Sequence, residues 1–154
     1  MNCVLTETLF GSELDKRMTF RQAIDLLREQ NLLNTGEIAE RAIAKKSGVE
    51  LCSPMTPNID TVTGKQIKYV TVKKPASDRY YKAYITRKTT APILCVISNP
   101  IKNKQYFLHI PYHAHKHLDG SCLTISFGKD GTPSPSQWWA YEVDSFDELC
   151  ELAK

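Results

Sequence analysis

Three side chains set far apart in the 154-residue chain could together hydrolyse a phosphodiester: Glu40, Asp60 and Lys73. A Mg²⁺ or Mn²⁺ ion takes hard oxygen ligands, commonly one or two carboxylates, with waters and substrate phosphate in the remaining positions. Glu40 and Asp60 can supply those carboxylates. A neighbouring lysine can polarise the attacking water or offset the charge that develops on the phosphoryl oxygens, and the metal lowers the pKa of that water. Thr71, two residues before Lys73, falls on the same face of an extended strand and adds a hydroxyl. Each residue also has a plain structural role open to it. Glu40 could pair with Arg41 or Lys45, Asp60 could cap Val62 or Thr63 in an Asx turn, and Lys73 could protect a sheet edge. Their ordered co-occurrence beside a basic stripe is what points to catalysis.

That stripe is the strongest charge feature of the chain. Between Lys65 and Lys88 eight Lys or Arg residues face a single acid, Asp78. Residues 61–138 carry 12 basic and 3 acidic groups, whereas residues 1–60 carry 7 and 9 and residues 139–154 carry 1 and 5, so the net charge of +3 hides a strong asymmetry. Such a density of cations attracts phosphates and releases counterions when it binds a polyanion, although a solvated basic face has the same composition. Lys65, Lys68, Lys74, Arg79, Lys82, Arg87 and Lys88 are the expected nucleic-acid contacts, with Tyr80, Tyr81 and Tyr84 interleaved among them.

Two other groups of residues compete for attention. His109, His113, His115 and His117 would present three imidazoles on one face if residues 113–117 were extended, a set suited to Zn²⁺. Pro111 and Gly120 instead mark an exposed loop able to touch phosphates. Trp138, Trp139 and Tyr141 could stack bases, but strand alternation assigns them to sheet core with one exposed ring. The five cysteines are scattered and include no C-x-x-C pair, which excludes a disulfide framework and a thiolate zinc site. No phosphate-loop, dinucleotide, zincin or nucleophile-elbow motif occurs.

The elements that must position these residues follow from periodicity. Phe20, Ala23, Ile24 and Leu27 predict a first helix from a Thr19 cap, and Ile38, Ala39, Ala42 and Ile43 a second that ends at Ser47-Gly48. Glu37 sits three residues after Asn34, as in a capping box, and Glu40 lies at the flank of the second apolar stripe. Residues 37–49 also carry a faint helix-turn-helix pattern, which would need another helix from Glu50, where Pro54 and Pro57 oppose it. A hairpin is expected from Ile59–Val62 and Ile67–Lys73 around Gly64, putting Asp60 at a strand end. Ser77–Lys88 reads as a helix capped by Ser77, or else as a strand built on Tyr84-Ile85-Thr86. Ile93–Ser98 and Gln105–Ile110 are strands, the first apolar throughout and suited to a sheet centre. Leu123–Phe127 and Trp138–Val143 are further strands, separated by a Gly, Pro and Ser-rich loop, and Ser145 caps a final helix to Ala153.

The expected architecture is α/β or α+β, a mixed central sheet flanked by helices. One domain spans 1–154, with a helical part at 1–50, a sheet core at 58–143 and a helix at 145–153. The helical Glu40, the strand-end Asp60 and the strand Tyr69-Val70-Thr71-Val72-Lys73 resemble the PD-(D/E)XK, restriction-endonuclease-like nuclease superfamily, over roughly residues 34–110. Thr71 stands where that family has its second acid. The resemblance implies a metal-dependent DNA endonuclease with Asp60 and Glu40 as ligands of Mg²⁺ or Mn²⁺, Lys73 assisting the water, and a homodimer that cuts both strands. The Thr71 departure motivates an alternative, a catalytically inactive nucleic-acid-binding module of the same fold; a regulatory protein-interaction subunit is a third class. The longest apolar run, Ile93–Ile97, is far shorter than the ~20 residues a spanning helix needs, and Met1–Phe10 has no basic flank of a secretory leader. A cytoplasmic protein without a membrane partner is therefore expected.

Overall fold

The computed structural model describes residues 20–30, 34–54, 56, 59–75, 79–86, 91–118 and 122–154. The chain divides into two compact units, Met1–Asn34 and Thr35–Lys154, with the boundary between the first two helices. In the first unit, helix α1 spans Phe20–Glu29 and buries Leu27 on its apolar stripe. The expected cap at Thr19 lies outside the described residues.

The second unit carries the sheet. Helix α2 spans Thr35–Ser47, then come β1 (Gln66–Thr71), β2 (Tyr81–Thr86), β3 (Ile93–Asn99), β4 (Lys104–Ile110), a one-turn helix α3 (Tyr112–His115), β5 (Cys122–Phe127), a 3₁₀ helix (Gln137–Tyr141), β6 (Glu142–Val143) and α4 (Phe146–Glu151). A four-stranded sheet runs in the order β1-β3-β4-β6, with β1 parallel to β3 and the other pairs antiparallel. β2 and β5 form a separate antiparallel pair. The class is α+β, with a mixed sheet and helices.

β3 is central because all seven of its residues are buried, which an uninterrupted apolar strand requires of both faces. On one face Leu94 and Val96 meet Ala39 and Ile43 of α2 and Leu149, Cys150 and Ala153 around α4. On the other, Ile93, Cys95 and Ile97 meet Ala83 and Ile85 of β2 and Leu123, Ile125 and Phe127 of β5. The sheet is thus sandwiched between a helical layer and a two-stranded one. The helical layer is also tied by a Lys46–Asp147 ion pair and by Lys46 over the Phe146 ring.

Several expectations are corrected. Of the two readings of Ser77–Lys88, the strand holds and the helix does not over the described residues: Tyr81–Thr86 is a strand, because Ala83 and Ile85 are fully buried while Tyr84 and Thr86 are exposed, a period of two. Trp138–Val143 is mostly 3₁₀ helix, opened by Ser136, whose Oγ accepts the Trp138 N–H; only Glu142–Val143 is strand. Both tryptophans therefore pack into the β2–β5 side, where Trp139 lies 5.3 Å from Tyr106 and donates its Nε1–H to the Ser134 carbonyl. Residues 59–62 are not the first strand of a hairpin. Thr61 pairs instead with Leu51, through Cys52 N–H to the Asp60 carbonyl and Val62 N–H to the Glu50 carbonyl. Among the described residues no helix starts near Glu50, where the helix-turn-helix reading needs one, and Leu51 pairs with Thr61 instead. Among the described residues no helix is long and apolar enough to cross a membrane.

Candidate active site and basic cleft

Asp60 is held by a turn built for the purpose. Its N–H and that of Thr61 both donate to the Lys65 carbonyl, at 2.8 and 3.2 Å, and Gly64 closes the loop at φ +80°, a value that disfavours side chains. Thr61, fully buried, accepts the Lys65 N–H on its hydroxyl, and Thr63 Oγ1 donates to the Ala153 carbonyl just beyond α4. The turn is therefore fastened to the helical layer, and Asp60 Oδ2 accepts the N–H of Ile67 at 2.6 Å. That N–H lies on the outer side of β1, the edge strand, so the carboxylate closes the start of a strand edge.

Glu40 reaches the same neighbourhood from α2. Its carboxyl pKa is raised, first by burial and then by the negative charges of Asp60 and Glu37, with Lys68 acting in the opposite direction. Arg41 is engaged one turn back by Glu37, at 2.5 Å. Two carboxylates from distant segments thus share one field with one ammonium, and that ammonium belongs to Lys68. Lys68 is half-buried on the edge strand in register with Cys95, on the face turned to β2 and β5 and opposite the one α2 covers, so its charge bears on Glu40 only across the strand edge. Gln66, two residues earlier, is buried, and its Oε1 has no hydrogen-bond partner among the described residues.

Lys73 does not join them. It lies beyond the other end of β1, exposed, with its N–H and carbonyl both bonded to Lys82. Six residues of extended chain separate it from Ile67, about 20 Å at ~3.3 Å per residue, far beyond the reach of a lysine side chain. Thr71 is on the helical face of β1, buried, its hydroxyl without a hydrogen-bond partner among the described residues. The tripeptide match that singled out Lys73 points to the end of β1 away from Asp60, whereas Lys68 lies only three residues after Lys65 of the turn.

The basic stripe is likewise divided. Lys65 and Lys68 belong to the start of β1, and the Lys65 charge together with burial lowers the His109 pKa, burial being the larger cause. Lys74 and Arg79, both exposed, line an open cleft of about 320 Å³ with Tyr81 and Lys129. Lys129 was absent from the expected contacts because it comes from the turn after β5, and only the pairing of Tyr81 with Phe127 brings it across. Lys82 is half-buried within β2, and Arg87 and Lys88 lie outside the described residues.

The histidines do not form a metal set. Residues 112–115 make a helical turn that buries His115 completely, with Nε2 donating to the Ala91 carbonyl at 3.0 Å, while His113 and His117 are exposed. Among the described residues no three His, Cys, Asp or Glu side chains come together as ligands. Glu40 and Asp60 are hard oxygen donors of the kind Mg²⁺ takes, whereas no imidazole or thiolate set for Zn²⁺ gathers among the described residues. Cys95 is fully buried and its thiol pKa strongly raised by that burial, which leaves it inert. No protein-family model matches the chain, and no curated protein matches it significantly.

Proposed function

We propose that the chain is a metal-dependent endonuclease of the restriction-endonuclease-like fold, acting on DNA, with Glu40 and Asp60 as ligands of Mg²⁺ or Mn²⁺ and Lys68 in place of Lys73. The observation that carries the reading is the Asp60 carboxylate pinned by the Ile67 N–H at the start of β1, with the charges of Glu40 and Lys68 near enough to act on one another. When bound, the metal supplies Lewis-acid stabilisation of the phosphoryl oxygens and a more acidic water. Asp60 is held in place by Ile67, Glu40 lies on a helix packed against the sheet, and Lys68 provides positive charge for the oxyanion. In this reading the protein works in the cytoplasm, and a pair of copies cuts both strands.

Incubation of plasmid with the protein in Mg²⁺ or Mn²⁺ tests it. Nicking by the wild type is expected, with a loss of about 10²-fold or more in Lys68→Ala and in Asp60→Asn, and near-normal rates in Lys73→Ala. Cleavage that depends on Lys73 and not Lys68, or no cleavage in either metal, would overturn it. A specific observation favours a second reading, a nucleic-acid-binding module without catalysis: Lys74, Arg79 and Lys129 gather three cations around one cleft beyond the end of β1 away from Asp60. Binding without cutting is its signature, and neither binding nor cutting would point to a protein-interaction subunit.

A further inference from the structure

The cleft at the far end of β1 has a construction of its own. Lys74 and Arg79 come from the connection between β1 and β2, Tyr81 opens β2, and Lys129 lies two residues past the end of β5. The turn that carries Lys129 is rigid. Gly128 N–H donates to the Thr132 carbonyl at 2.7 Å, Gly131 N–H donates back to the Gly128 carbonyl, and the Gly131 carbonyl accepts from the buried Asn99 Nδ2 at 2.8 Å. The neighbouring acid, Asp130, has its oxygens turned to the N–H and hydroxyl of Thr132 and to Lys102, so it serves the turn. Its pKa is lowered mainly by those Thr132 hydrogen bonds.

Three cations and a phenol therefore surround one open space. A guanidinium matches a phosphate with two parallel donors, ammonium groups add point charge, and a tyrosine hydroxyl can donate to a phosphate oxygen. Among the described residues the lining holds no acid, and Tyr81 is the one ring a base could meet in a cleft otherwise built of long cationic side chains. That favours a phosphate on a polymer backbone over a free nucleotide. Lys74 lies seven residues beyond Ile67, about 23 Å of extended chain at ~3.3 Å per residue, and a duplex rises ~3.4 Å per base pair, so the spacing corresponds to about seven base pairs.

We infer that the Lys74–Arg79–Tyr81–Lys129 cleft seats a backbone phosphate of duplex DNA about seven base pairs from the phosphodiester at the Glu40 and Asp60 site, and so sets the minimum duplex length the protein handles. The spacing rests on the nuclease reading; the seating of a phosphate does not.

The test uses the full chain in two arms. In the first, fluorescence anisotropy with blunt duplexes of 6 to 20 base pairs is measured in EDTA, where cleavage plays no part. Lys74→Ala/Arg79→Ala/Lys129→Ala is expected to bind the long duplex about tenfold more weakly, with a slope of log K against log salt shallower by about one. Its thermal melt should match the wild type, since all three side chains are exposed, and Arg79→Glu/Lys129→Glu should weaken binding further. Unchanged affinity and slope in both variants would overturn the seating. In the second arm the wild type should cut long duplexes and lose efficiency sharply as the duplex becomes too short to reach the cleft, whereas the triple variant should show no such length dependence. A wild type that cuts all lengths equally would overturn the spacing. Failure to cut any duplex would overturn the nuclease reading and the spacing with it, while the anisotropy arm still decides the seating.

Discussion

Replacing Asp60 separates two roles that one carboxylate performs. Its Oδ2 accepts the Ile67 N–H at 2.6 Å on the edge of β1 that no strand covers. A hydrogen bond to an ionised acceptor contributes about 1.5–3 kcal/mol, and the partial exposure of Asp60 places the figure near 2 kcal/mol. Part of that loss is returned, because removing the charge relieves Glu40 of a negative neighbour. In a domain of this size each kcal/mol moves Tm by about 2–4 °C, so Asp60→Ala should melt about 4–8 °C below the wild type in EDTA. Asp60→Asn keeps an acceptor oxygen and should lose about half as much. The second role appears when Mg²⁺ is added. At a hundred times Kd a bound ion stabilises the wild type by about 2.7 kcal/mol, and neither variant should show that gain. Thermal melts followed by circular dichroism, with EDTA and with Mg²⁺, read both effects. An Asp60→Ala protein that melts with the wild type refutes the strand-edge role, and one that keeps the full Mg²⁺ response refutes the ligand role.

Other expectations concern titration and packing. Because the Glu40 pKa is raised in the folded protein, the native state holds its proton more tightly than the unfolded state, and stability falls as pH rises through that range. Urea midpoints should therefore show Glu40→Gln gaining on the wild type as pH increases from about 4 to about 7, and a constant gap would contradict this. His109 has the opposite sign: its lowered pKa keeps it neutral when the unfolded chain takes up a proton, so stability is lost as pH falls below about 6.5. An NMR titration should place its midpoint below that of a free imidazole, and His109→Leu should hold its stability better on acidification. Gly131→Ala should cost about 1–3 kcal/mol, since φ is +82° and a Cβ there would lie 2.8 Å from Ile101 side-chain carbons; a melt equal to the wild type would show that the turn adapts freely.

Where the sequence pattern was local and strong, it was read correctly. The apolar run Ile93–Ser98 announced a central strand, and Ser145, whose Oγ accepts the Glu148 N–H, announced α4. The errors arose where tertiary pairing overrode a local signal. Ser77 and Asp78 look like a helix start, but Ala83 and Ile85 have a buried face waiting across from Ile125 and Leu123, and the strand wins. Ile59–Val62 has the composition of a hairpin arm, yet its hydrogen bonds go back to residues 50–52, a partner that sequence spacing around Gly64 hides. The candidate site inherited that error. The positions of Glu40 on a helix flank and of Asp60 in a turn were visible locally. Lys68 was assigned only to the basic stripe, because choosing it over Lys73 requires knowing which end of β1 faces the turn.

Asn99 gives the sheet a grip on its own surface. This last residue of β3 is fully buried, yet its amide nitrogen holds the Gly131 carbonyl and its amide oxygen accepts the Lys102 N–H, so two loops from different parts of the chain hang from one interior side chain. A lysine at the rim is thereby aimed from the middle of the molecule. Damage at that hidden amide would surface as a misdirected charge on the outside, a fault in capture carried by a chain whose hydrophobic layers remain whole.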